Sequence, residues 1–140
     1  MTKALIASAC GLLLFVSGCG SGGSDKRKTA CAQAVTAMNA YHLAGQAVAP
    51  DFSNRAGLKK VVVAAAGFRA KLKKLAPATS ASERKQLEEL TGTLEEHERL
   101  LTAVATKQLT LAHELDTQGF EEALDDGQAN FKTICKVPAT

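Results

Sequence analysis

Ser80-Ala81-Ser82-Glu83, followed by Leu87, Leu90, Leu94, His97, Leu101, Val104, Gln108, Leu111 and Leu115, carries the architecture of this chain. Ser-x-x-Glu is the form of a capping box, in which each of the two side chains satisfies a backbone N–H that the start of a helix leaves unpaired. The positions after it alternate spacings of three and four across four heptads, so they line one side of a helix as a seam. At 1.5 Å per residue that helix is about 50 Å long, which predicts either a bend near Gly92 or an overhang past its neighbours. Gln108 reads as a polar seam residue that fixes register.

A preceding helix is predicted from near Ser53 to Leu75, with Leu58, Val61, Val62, Ala65, Phe68, Leu72 and Leu75 on one face and Pro77 closing it. Before that, Thr29 to Val48 repeats Cys31, Val35, Met38, Tyr41 or His42, Gly45 and Val48 every three or four residues and stops at Ala49-Pro50. After Gly119, a weaker stripe of Phe120, Ala123, Leu124, Phe131 and Ile134 reaches Cys135, with Asp125-Asp126-Gly127 as a point of interruption. No segment sustains strand alternation and the connections are short. The predicted fold is therefore all-α, an antiparallel up-down-up-down four-helix bundle over residues 29–136.

Residues 1–18 have the three parts of a secretory signal: Lys3 near the start, an apolar run from Ala4 to Val16, and the small pair Ser17-Gly18. The run is short of the roughly 20 apolar residues that span a bilayer, and glycine and serine follow it at once. Val16-Ser17-Gly18-Cys19 resembles the lipobox of bacterial lipoproteins, a likeness confined to the first 19 residues. The resemblance implies cleavage before Cys19 and acylation of its thiol, with a second acylation, such as palmitate, at the new N-terminus. It places the chain on the extracytoplasmic face of the cell membrane, held by its lipid anchor. Two or more acyl chains, at about 0.8 kcal/mol per buried methylene, anchor stably where one does not. Residues 19–28 then read as a flexible Gly/Ser-rich tether with a basic end, Lys26-Arg27-Lys28, suited either to anionic headgroups or to plain solvation.

With Cys10 in the leader and Cys19 lipidated, Cys31 and Cys135 remain as a pair in an exported chain, where oxidation is the default. In an up-down-up-down bundle the first helix starts and the fourth ends at the same pole. The pair is therefore predicted to form a disulfide there.

A net charge of +3, 4% aromatic residues and no tryptophan argue against a nucleic-acid partner. Phe52 to Leu75 carries seven basic residues and no acidic one, while Ser80 to Asp116 carries eight acidic and four basic. This predicts complementary sides of an antiparallel helix pair, with a lipid-facing basic side as the alternative.

Little in the chain points to catalysis. The histidines are His42, His97 and His113, and none has a glutamate three residues before it, as a bundle metal site requires. His97, at a seam position, is the one weak metal candidate, against a hydrogen-bonded structural role. No nucleophile elbow, phosphate-binding glycine loop or zinc-ligand spacing occurs. The chain thus reads as non-enzymatic and without a cofactor, a helical interaction module with a protein partner in the envelope. The alternative is a carrier or sensor holding a small apolar ligand between helices, lined by Met38, Phe68 and Phe131.

Overall fold

The structure, a computed structural model, describes residues 22–48, 54–106 and 117–137. These form α1 (Gly22–Val48), α2 (Arg55–Leu75), a 3-10 turn (Ala76–Ala78), α3 (Ala81–Ala105) and α4 (Thr117–Ile134), with no strand among the described residues. Consecutive helices pack against each other, α1 on α2, α2 on α3 and α3 on α4. Arg27 near the start of α1 bonds Glu83 at the start of α3 and the carbonyl of Ile134 at the end of α4, so these three ends share one pole. The chain is an antiparallel four-helix bundle. Among the described residues no helix is long and apolar enough to cross a membrane.

The leader 1–18 and Cys19 lie outside the described residues, as do Pro50, Ser53, Gln108, Leu111, His113 and Leu115. The side chain of Phe120 is likewise outside the described set.

The starts of α2 and α3 have visible causes. The Asn54 side chain accepts from the backbone N–H of Gly57 at 2.9 Å and caps α2. Both arms of the capping box are made on α3: Glu83 N–H donates to Ser80 Oγ at 3.3 Å, and Ser80 N–H donates to the Glu83 carboxylate at 2.8 Å. Pro77 falls in the 3-10 turn that ends α2.

Two expectations are corrected. Residues 19–28 read as a flexible tether, yet α1 already begins at Gly22, so residues 22–28 are its first two turns. Asp25 suits a helix start, and the Arg27 contacts to Glu83 and Ile134 hold those turns onto the bundle. Glycine and serine composition says nothing of such long-range ties. Second, Asp125-Asp126-Gly127 does not interrupt α4, which runs through it. Gly127 is buried, and a Cβ built there would stand 2.8 Å from Leu90 Cδ1 and 3.2 Å from Leu90 Cβ. The glycine is a packing residue that lets α4 approach α3.

Gly92, by contrast, has open space around it in a helix that continues past it. Gly92→Ala is expected to stabilise by about 0.5–1 kcal/mol through helix propensity. Gly127→Ala gains the same term but overpacks Leu90 by about 1–3 kcal/mol, for a net loss of about 1 kcal/mol. Urea denaturation of both variants checks this, and equal stabilities would refute the close approach.

The core takes Leu58, Val61, Ala65, Phe68, Leu72 and Leu75 from α2, and Leu87, Leu90 and Leu94 from α3. Val62, Leu101 and Val104 are half-buried. From α1 it takes Cys31, Ala34, Met38, Tyr41 and Val48, so Tyr41 rather than His42 points inward, and Ala34 lies deeper than Val35. From α4 come Phe131 and Ile134, while Ala123 is exposed. Cys31 and Cys135 stand at bonding distance, with their Cα atoms 5.4 Å apart.

Candidate functional site

One aromatic or imidazole ring from each helix meets in the middle of the bundle. The Tyr41 hydroxyl on α1 lies 2.5 Å from His97 Nδ1 on α3. Its ring stacks on Phe68 of α2 at 6.4 Å between centroids, and Phe68 meets Phe131 of α4 edge-on at 5.4 Å. Tyr41 and both phenylalanines are buried. Burial raises the Tyr41 phenol well above its ordinary value, so it keeps its proton and donates. His97 Nδ1 then accepts, which assigns the neutral tautomer with its proton on Nε2. His97 is thus half-buried and hydrogen-bonded. Among the described residues no three histidine, cysteine, aspartate or glutamate side chains gather as a metal site.

Burial also lowers the His97 imidazole. In the unfolded chain a histidine titrates near about 6.5, so below that pH the unfolded state binds a proton that the folded state resists. Acidification from pH 7 to pH 5 is therefore expected to lower stability, by at most about 1.4 kcal/mol per pH unit, and the effect is absent above pH 7. His97→Gln keeps an acceptor for Tyr41 and removes the titration. Urea midpoints of both proteins at pH 7.5, 6.5, 5.5 and 5.0 check this, and parallel curves would count against His97.

Beside this cluster, α1 and α4 stand apart and are bridged by side chains. His42 Nε2 donates to Gln128 Oε1 at 2.5 Å. The open cleft there has a volume of about 300 Å³ and is lined by Tyr41, His42, Gln46, His97, Asp125 and Gln128, among others. Nothing in the sequence signalled the His42–Gln128 pair, whose members lie 86 residues apart. Met38, Phe68 and Phe131, expected to line an apolar ligand cavity, are buried together in the main core.

The charge expected to pair α2 with α3 does so at Arg69, which bonds Glu98 at 2.8 and 2.9 Å and reaches Glu95 at 3.1 Å. Lys59, Lys60, Lys73 and Lys74 on the same helix are exposed. At the shared pole, hydrogen bonds from Arg27, and secondly from the Ser80 backbone, hold the Glu83 carboxyl well below the usual range, at about 2. Around that ion pair lie exposed cations from all four helix ends: Lys26 and Lys28 on α1, Lys73 and Lys74 on α2, Arg84 and Lys85 on α3, and Lys132 and Lys136 at the end of α4. A recess of about 760 Å³ opens between Lys26, Arg27, Lys74 and Thr79.

Lys136 has a φ of +53°, the left-handed region that favours glycine. Its N–H bonds the Thr133 carbonyl and the Val137 N–H bonds the Lys132 carbonyl, the two bonds of a Schellman cap. Comparison with family models, with curated proteins and with solved structures finds no match to this chain.

Proposed function

We propose that the protein is a lipid-anchored domain on the extracytoplasmic face of a bacterial membrane, working by non-enzymatic contact with a protein partner. The supporting observation is the start of α1 at Gly22, three positions after Cys19. With so short a link, an acyl chain on Cys19 keeps the bundle against the bilayer by the pole where α1 and α3 start. The opposite half then faces away. The two large apolar side chains most exposed among the described residues, Leu43 (66%) and Val63 (72%), both lie in that distal half, on α1 and α2. It is on this outward half that we place the protein contact.

The anchor is tested with the full chain expressed in a bacterium. Mass spectrometry should find acyl mass on Cys19 and no residues 1–18, and detergent partition should place the protein in the detergent phase. The Cys19→Ala variant should lose both properties. An unmodified thiol at position 19 overturns the anchor. A photo-crosslinker at position 43 should trap an envelope protein that Val63→Glu fails to trap, and trapping unchanged by that substitution counts against the distal surface.

A further inference from the structure

We propose that the pole carrying Arg27 and Glu83 is a docking surface for anionic phospholipid, on which the bundle stands upright at the membrane. Residues 22–30, 73–85 and 131–137, which make up this pole, hold nine basic and two acidic side chains, net +7. The other described residues hold six basic and nine acidic, net −3. The modest overall charge conceals a molecule with a strongly positive end and a negative body. A negatively charged surface both attracts such an end and repels the remainder, which sets orientation as well as adhesion.

Helix stability does not account for the pattern. Cations near the ends of α2 and α4 suit the negative end of a helix dipole. Lys26 and Lys28, in the first two turns of α1, stand toward the positive end, where acidic residues are favoured, and so do Arg84 and Lys85 at the start of α3, although Arg84 also donates to the Ala76 carbonyl and Lys85 lies 3.9 Å from Glu89. Glu83, which does sit there, is occupied by Arg27 and the Ser80 cap. Lys136 adds a cation at a backbone position where glycine is less strained. The recess lined by Lys26, Arg27, Lys74 and Thr79 has the volume and the positive charge for headgroup phosphates. The surface also lies at the end from which the chain leads back to Cys19. Which membrane it meets depends on the anchor proposed above, but the affinity of the pole for anionic lipid does not.

The test therefore removes the anchor. The chain from residue 19 with Cys19→Ser retains every described helix and is sedimented with vesicles of phosphatidylcholine alone or with about 30% phosphatidylglycerol. Binding is expected only to the anionic vesicles and should weaken as salt rises. Each lysine near the surface is expected to account for about a fivefold change in affinity. The triple variant Lys26→Gln, Lys28→Gln and Lys74→Gln should thus bind about 100-fold more weakly. A control with Arg55→Gln, Lys59→Gln and Lys60→Gln, at the far end of α2, should bind like the parent. Circular dichroism melts establish that both variants are folded. Equal binding to the two vesicle types, or equal losses in the two triple variants, overturns the proposal. So does displacement from vesicles by glycerol phosphate at constant ionic strength, which would assign the recess to a soluble phosphate instead. An unmodified Cys19 in the native product sinks the anchor and leaves these vesicle results standing.

Discussion

Replacing Cys31 and Cys135 together by alanine is expected to lower the unfolding free energy by about 4–5 kcal/mol, the largest effect of any change away from the aromatic core. The two cysteines are separated by 104 positions, and for a loop near 100 residues the restriction of the unfolded chain is worth about 4.7 kcal/mol. The native geometry requires no backbone shift, since the Cα atoms already stand 5.4 Å apart. The bond also closes the one seam of the bundle where the described helices do not pack directly, because α1 and α4 meet through it, through His42–Gln128 and through Arg27 on the Ile134 carbonyl. For a domain whose total stability is of order 5–15 kcal/mol, that is a large share. With a urea dependence of about 1–2 kcal/mol per molar, the midpoint should fall by about 2–5 M. Parent protein in reductant should match the double variant, and α4 should become the first segment to exchange its amide protons. An unchanged midpoint after reduction would remove the bond from the stability account.

Four helices and the cysteine pairing were legible because each depends on local spacing plus one topological rule. The three-and-four pattern of Leu87, Leu90 and Leu94 needs no partner to be read, and antiparallel order alone brings residues 31 and 135 to one pole. What could not be read depends on contacts between distant segments. The first two turns of α1 look like a linker until Arg27 is seen to hold Glu83, 56 positions away. Gly127 looks like a break until Leu90 is seen beside it. Tyr41 and His42 compete on equal terms for the core, and only the hydrogen bond to His97, itself 56 positions from Tyr41, decides between them. The basic pole was hidden for the same reason. Its lysines occur as short runs at the ends of four segments, and a summed charge of +3 averages them against the acids of the helix bodies.

Phe68→Ala should be the most damaging single substitution, with a loss of about 3–5 kcal/mol. Phe68 has no exposed surface and is the only ring that touches both Tyr41 and Phe131 among the described aromatic contacts. Its removal opens a void that α1 and α4 cannot readily collapse into, since one is fixed by Cys31 and the other by Cys135. Phe68→Leu retains most of the volume and should cost about 1–2 kcal/mol, so the pair of variants separates the void from the lost ring contacts. Thermal denaturation should show the alanine variant melting about 10–20 °C lower. A second readout follows from the position of Tyr41. With Phe68 gone, Tyr41 loses its stacking partner and water reaches the Tyr41–His97 pair from the core side as well as from the cleft, so the imidazole is less desolvated. Its protonation, followed by NMR, should then occur at a higher pH than in the parent, closer to the ordinary histidine value. A loss below about 1 kcal/mol with an unmoved His97 titration would mean that the four-ring junction does not organise the core.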